Sequence, residues 1–305
     1  MRVHEFLHLY ESGHRNFRGV NLSGADLSRC ILVNVDLSEA NLVGADLSRT
    51  FLTKGKFVGA QLQRANLQFA KLSETNFNQA NLTKLYGNGA FWIKSDLSHA
   101  KLSGARLAHV NLRQSVLRCA NVSGAVMTGV NLREAELHGV NFAWANLRGA
   151  RLYGADITDI QFNGVNLEQA RLNGLNFQGC DLNGVNLSHA HLKGINLQQA
   201  NLTAVNLSYA QLQHANLQQS QLIGANLHGA QLQRANLVDT NLSRANLDCA
   251  NFAGAVLTNT IFERSPTTKT PRSAPHPIPL SPSSVSNVSM VSYSSAGLFP
   301  PVMVR

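Results

Sequence analysis

The sequence predicts an all-β solenoid, in which very short extended segments are joined by tight corners and four segments make one coil. From Phe17 to Phe262, every fifth residue is apolar at 49 of 50 positions without an insertion or deletion, and the exception is Gly87. Similar segments also recur twenty residues apart, such as ADLSR at 25–29 and 45–49. A period of five fits neither a helix nor a long strand, so each five-residue unit (pentad) is predicted to form one side of a square coil.

The composition of the pentad assigns an orientation to each residue. The residue two before each apolar centre is Ala in 27 of 50 cases, and the residue between them is Asn or Asp in 29. Residues two apart on an extended segment face the same way, so the small residue and the centre point inward and the Asn or Asp points outward. The remaining two residues form the corner, where 19 of the 23 glycines fall and where Gly tolerates positive φ.

Units such as Ala45-Asp46-Leu47, Ala65-Asn66-Leu67 and Ala235-Asn236-Leu237 resemble the A(D/N)LxX motif of the pentapeptide-repeat family. The resemblance extends over about 250 residues and implies a right-handed quadrilateral parallel β-helix, here of about twelve coils. The best-understood members of that family bind type II DNA topoisomerases by imitating the shape and negative charge of duplex DNA. This chain departs from that pattern because it is net basic, at +9.

Three segments are predicted. Residues 1–16 form an N-terminal capping segment with an apolar-faced helix over 3–12, and residues 17–265 form the β-helix. Residues 266–305 contain all eight prolines, nine serines and no acidic residue, so they are predicted to be a disordered tail. No comparable helix follows Phe262. The C-terminal end of the β-helix is therefore expected to be bare, covered by the tail, or paired with another subunit as a dimer.

The chain shows no signal peptide and no segment long enough to span a membrane, so a cytoplasmic location is expected. Residues 1–265 carry a net charge of +6, because three of the 26 basic residues lie beyond them and all 17 acidic residues lie within them. The four cysteines are far apart, which predicts neither a disulfide framework nor a zinc site.

Gly87 interrupts the apolar ladder within LTKLYGNGAFW. Leu85 replaces the usual Ala and Trp92 the usual Leu, so these two side chains are predicted to fill the space of a missing Leu. The alternatives are a partner-binding notch and a loop that leaves the ladder.

No catalytic, cofactor-binding or metal-binding site is predicted, and the protein is expected not to be an enzyme. Catalysis requires groups that converge in a concave site, whereas outward residues of such a rod are expected on flat or convex walls. None of the eleven histidines has another histidine twenty residues away. No cofactor motif stands out either.

One wall is predicted to present an apolar patch followed by a basic stripe, which together suit a protein partner. The candidate partner-binding residues are Ile31, Phe51, Phe91, Ile93, Arg113, Arg133, Arg151, Tyr153, Arg171, His191 and Lys193. The alternative is that this stripe is an ordinary solvated face.

The expected role is a non-enzymatic protein–protein interaction scaffold. One alternative is a DNA-mimicking inhibitor or protector of a type II topoisomerase. The other is weak, nonspecific nucleic-acid binding through the basic stripe.

Overall fold

The computed structural model describes residues 1–265; residues 266–305, where the tail is predicted, lie outside the described part. One α-helix, α1 (Val3–Glu11), precedes the repeats, close to the predicted helix over 3–12. Within residues 16–265, pairing runs through single-residue parallel bridges rather than longer strands. None of the helices in the described part has the length and hydropathy needed to cross a membrane.

The parallel bridges join residues that are twenty apart, from Asn16↔Asp36 to Asn241↔Ile261. Four pentads therefore complete one coil, and each residue lies beside its equivalent in the next coil. This is the register that the twenty-residue recurrence predicts. Residues that share a remainder modulo twenty form columns along the rod, so surface positions follow directly from residue numbers.

A regular pentad pairs all five of its backbone N–H groups, as the unit around Leu47 illustrates. The Leu47 N–H donates to the Asn66 carbonyl at 2.7 Å, and the Asp46 N–H donates to the carbonyl of Ala25 in the previous coil at 2.8 Å. The N–H groups of the inward residue Ala45 and of the corner residue Arg49 are also bonded to backbone carbonyls. The fifth donor, the Ser48 N–H, donates to Asp46 Oδ1 at 2.8 Å. A buried backbone can tolerate few unpaired groups, which accounts for this regularity.

The second corner residue has a positive φ in all fifty pentads, from Gly19 to Arg264, and 31 of these residues are not glycine. Positive φ is uncommon for residues with a side chain. The hydrogen bonds of the surrounding coils hold this conformation at the corners.

The core consists of the apolar central residues of the pentads and the small residues two positions before them, stacked along the rod axis. Nearly all of these side chains are fully buried. Phe57 and Phe77 stack one coil apart with ring centroids separated by 4.5 Å, and Phe142 and Phe162 stack at 5.9 Å. Helix α1 covers the N-terminal end of this core with the buried Phe6, whose ring meets Phe17 edge-on at 4.5 Å. At the other end of the described part, Phe262 remains exposed.

Candidate functional site

The predicted partner wall consists of two columns of outward residues. The first column is defined by consecutive bridges that join Ile31, Phe51, Lys71, Phe91, Asn111, Asn131, Arg151, Arg171, His191 and Gln211. The second column lies two residues further along each pentad and contains Val33, Ile93, Arg113, Arg133, Tyr153 and Lys193. We call the two columns together the partner wall. The structure therefore places all eleven candidate residues on one side of the rod.

Most apolar members of the partner wall are open to solvent. Ile31 is 67% exposed, Phe51 46%, Phe91 37% and Tyr153 61%. The four arginines and Lys193 are also exposed, whereas Ile93 and His191 are partly buried. Exposed side chains of this size are costly unless another surface covers them.

Lys71 interrupts the apolar patch, and the sequence reasoning overlooked it. It lies between Phe51 and Phe91 in the first column, and its Nζ is 3.6 Å from the centroid of the Phe91 ring. A cation over an aromatic face is a favourable contact. The sequence alone could have placed Lys71 in this column, because it lies twenty residues from both Phe51 and Phe91.

The basic stripe is partly neutralised at its N-terminal end. Arg113 forms an ion pair with Glu134 at 3.4 Å, and the Gln114 side-chain amide donates to the same carboxylate at 2.7 Å. The hydrogen bond from Gln114, assisted by Arg113, lowers the pKa of Glu134 below its ordinary value. The cations of the basic stripe without such an ion pair in the described part are Arg133, Arg151, Arg171 and Lys193.

At the break in the ladder, the neighbours of Gly87 occupy the space of the missing side chain. A Cβ at Gly87 would lie 3.0 Å from Leu107 Cδ2, 3.4 Å from Leu85 Cδ2 and 3.6 Å from Trp92 Cζ3. Leu85 and Trp92 are both fully buried. The backbone continues in register, since the Gly87 N–H donates to the Arg106 carbonyl at 2.8 Å. A loop that leaves the ladder is therefore not what the structure contains.

A cleft opens between two coils on the wall next to the partner wall. The register requires bridges between residues 156 and 176 and between residues 161 and 181, and these two are missing from an otherwise continuous series within residues 16–261. The cleft has a volume of about 600 Å³ and is lined by residues 155–160, 176 and 178–181. The expectation that outward residues lie only on flat or convex walls is wrong here.

Four large side chains lie close together where the coils separate. Ile160 and Leu175 occupy positions that are most often Ala, and Phe162 and Phe177 fill the neighbouring centres. The Phe162 and Phe177 rings approach to 5.6 Å. Excess core volume forces backbone shifts, and we attribute the separation of the coils to this cause.

Two chain segments border the cleft, residues 155–160 in one coil and residues 176–181 in the next, and we call them its lips. Both lips carry acidic side chains. Asp156, Asp159 and Asp181 line the cleft, together with the partly buried Cys180. Hydrogen bonds from Thr158 lower the pKa of Asp156, while burial, assisted by the charge of Asp159, raises the pKa of the Cys180 thiol. Within residues 1–265, no group of His, Cys, Asp or Glu side chains has an arrangement that could hold a metal ion.

Comparison with known sequence families gives matches over most of the repeats. A family model described as pentapeptide repeats (8 copies) matches residues 16–53, 60–85, 95–134, 125–162 and 135–174. A second, described as a pentapeptide repeat region, matches residues 170–247. Together the matches cover more than half of the chain. No curated protein matches the sequence.

Several solved structures are similar to the chain. HetL, a pentapeptide repeat protein involved in heterocyst differentiation regulation from the cyanobacterium Nostoc sp. strain PCC 7120, is 29% identical, with 86% of this chain and 94% of HetL covered and a TM-score of 0.32. Rfr23 from the cyanobacterium Cyanothece 51142 is 22% identical, with coverages of 52% and 97% and a TM-score of 0.26. QnrB1, a plasmid-mediated fluoroquinolone resistance protein, is 17% identical, with coverages of 59% and 90% and a TM-score of 0.35.

Proposed function

The chain belongs to the pentapeptide-repeat proteins, and from that premise we propose that it is a non-enzymatic scaffold that binds another protein through the partner wall. The proposal includes a right-handed winding of about twelve coils, which would present this wall as one long, flat surface. The observation that carries it is the continuous pair of columns in which exposed Ile31, Phe51 and Phe91 lead into exposed arginines.

The composition of this wall supports a protein partner. Protein interfaces are enriched in aromatic residues and arginine, and exposed Tyr153 lies in the same column as Arg133. Aromatic and arginine side chains also dominate the binding energy of most interfaces. A flat wall suits such a partner better than it suits a small substrate, which requires a concave site.

Charge reversal tests the proposal. The variant Arg133→Glu/Arg151→Glu/Arg171→Glu should lose proteins that the wild-type chain captures from its native lysate, by roughly tenfold or more, because it reverses three cations of the proposed interface at once. Quantitative mass spectrometry of affinity captures measures the loss, and circular dichroism verifies the fold.

A matched control reverses the same number of charges elsewhere. Arg64, Lys84 and Arg244 are exposed corner residues that share one column away from the partner wall. Their replacement by Glu should leave the captured proteins unchanged. Equal capture by the partner-wall variant and the wild type would reject the proposal.

A further inference from the structure

The cleft exposes backbone groups that are paired almost everywhere else along the rod. In the coil before it, the N–H groups of Leu137 and Gly139 donate to the carbonyls of residues 156 and 158 at 2.8 and 3.0 Å. The equivalent N–H groups one coil later, on Ile157 and Asp159, have no backbone acceptor in the described part. The same holds for the N–H groups of Phe162 and Gly164 around the next corner.

On the opposite lip, the unpaired backbone groups are hydrogen-bond acceptors rather than donors. The carbonyls of Asn176 and Gln178, which this register would pair with Ile157 and Asp159, accept no backbone hydrogen bond from the described residues. The ladder is intact on either side, because the Leu152 N–H donates to Arg171 at 3.1 Å and the Leu167 N–H donates to Asn186 at 2.8 Å. The opening is therefore local, with both of its ends held by paired coils.

An unpaired strand edge is a template for an added strand. An extended peptide can satisfy such an edge with its own backbone, while its side chains select among sequences. The straight part of this lip runs from Ala155 to Ile157, roughly 10 Å at 3.3 Å per residue, and the corner residues Thr158 and Asp159 follow it. A peptide of about five or six residues that pairs with both Ile157 and Asp159 is therefore extended along this side and bends at the corner, as the neighbouring coils do.

The negative charge of the lips favours a peptide with positively charged side chains. Asp156, Asp159 and Asp181 lie on the cleft, and the described residues that line it include no Lys or Arg. His138 approaches Asp159 at 3.6 Å but is charged only when protonated. This acidic opening lies in a domain whose repeats are net basic, so it attracts cations locally.

We propose that the cleft between residues 155–160 and 176–181 binds a basic, extended peptide segment of a partner protein by strand addition. This site is separate from the partner wall and does not depend on the function proposed for that wall. Backbone pairing to the N–H groups of Ile157 and Asp159 on one lip and to the carbonyls of Asn176 and Gln178 on the other supplies affinity. The aspartates favour Lys or Arg at alternate positions of the peptide.

The probe is a blocked peptide of about six residues that alternates lysine and valine. Titration calorimetry with the full chain should detect its binding. The same peptide with alternate backbone amides N-methylated keeps its charge but loses the N–H donors that would pair with the carbonyls of Asn176 and Gln178, so its affinity should fall at least tenfold. A glutamate–valine peptide should not bind. Equal binding of the methylated peptide, or no binding of the lysine peptide, would overturn the proposal.

Protein variants test the site itself. Asp156→Asn/Asp181→Asn should weaken binding several-fold without altering the fold, because Asn is common at this position of the pentad and can accept the same corner hydrogen bond. Asp36→Asn/Asp96→Asn makes the same change away from the cleft, and it should leave the affinity unchanged. Equal weakening by both pairs of substitutions would mean that the peptide is held by general electrostatic attraction, which would also overturn the proposal.

Discussion

At the scale of single residues, an Asn before an apolar centre can make one hydrogen bond to the backbone and one to the equivalent side chain of the previous coil. Asn226 Oδ1 accepts the N–H of His228 at 3.1 Å, and its Nδ2 donates to Asn206 Oδ1 at 3.3 Å in the previous coil. Asp can perform the first role but cannot donate, as Asp46 shows by accepting from both Ser48 and Asn66. The preference for Asn and Asp at this position therefore has a hydrogen-bonding cause as well as an outward orientation.

A second residue-scale rule concerns aromatic corners. The rings of Phe69, Trp144 and Tyr209 each lie against the position twenty residues later, and that position is Gly in every case. A Cβ at Gly89 would meet the Phe69 ring at 2.6 Å, and one at Gly229 would meet the Tyr209 ring at 2.7 Å. These glycines leave room for a neighbour in addition to allowing positive φ.

The Gly87 break leads to a prediction at this scale. Gly87→Leu should destabilise the fold by about 1–3 kcal/mol through overpacking, and Trp92→Leu should cost about 2 kcal/mol by leaving a cavity. In the double variant the smaller side chain at position 92 makes room for the larger one at position 87, so its loss should be smaller than the sum of the two. Chemical denaturation measures all three.

Trp144→Leu is the matched control for the tryptophan substitution, because Trp144 is 75% exposed and its loss should change stability little. An unchanged or higher stability of Gly87→Leu, or strictly additive losses in the double variant, would contradict the packing explanation.

At the scale of the coil, stability depends on how well neighbouring coils match in volume. The stacked Phe57 and Phe77 rings lie 4.5 Å apart and their coils stay paired. Phe142 and Phe162 lie 5.9 Å apart, immediately before the coil that separates from its successor. A solenoid holds each coil only through its neighbours, so a mismatch opens one interface and leaves the others closed.

Hydrogen exchange tests this explanation of the cleft. The amides of Ile157 and Asp159 should exchange at least tenfold faster than those of Leu137 and Gly139, their equivalents in the preceding coil, because they lack a carbonyl partner. Mass spectrometry or NMR can compare the two pairs.

The substitution Ile160→Ala/Leu175→Ala should slow exchange at Ile157 and Asp159, because it restores small residues where the pentad usually has them. Val185→Ala/Val205→Ala trims the same kind of position where the coils are already paired, and it should not slow exchange at the cleft. Equally slow exchange at all four amides in the wild type would show that the coils are paired there in solution.

At the scale of the whole molecule, charge argues for weak rather than specific binding of nucleic acid. The arginines of the partner wall can neutralise phosphates, yet the wall offers no helix to enter a groove and Arg113 is already paired with Glu134. Any affinity for duplex DNA should therefore fall steeply between low and physiological salt, with no preference for sequence. Fluorescence anisotropy across a salt series measures this, and tight binding that persists at physiological salt would contradict it.

The sequence was sufficient to predict the repeat, the twenty-residue register and the outward placement of the candidate residues, because a fixed period converts residue number into position. It did not predict the cleft. Ile160 and Leu175 each look like a modest departure from Ala, and only in the folded rod do they come together with Phe162 and Phe177 where the coils separate. The prediction of an apolar patch also missed Lys71. That patch was defined by its apolar residues alone, and the other residues of the same column were not checked.

The twenty-residue register has a consequence for how such a chain can change. Insertion or deletion of four pentads changes the length of the rod by one coil. Every later side chain then still points in its original direction. Removal of one pentad between Phe91 and Arg151 would instead rotate everything downstream by a quarter turn. The arginines would then point away from the phenylalanines, although every pentad would remain intact.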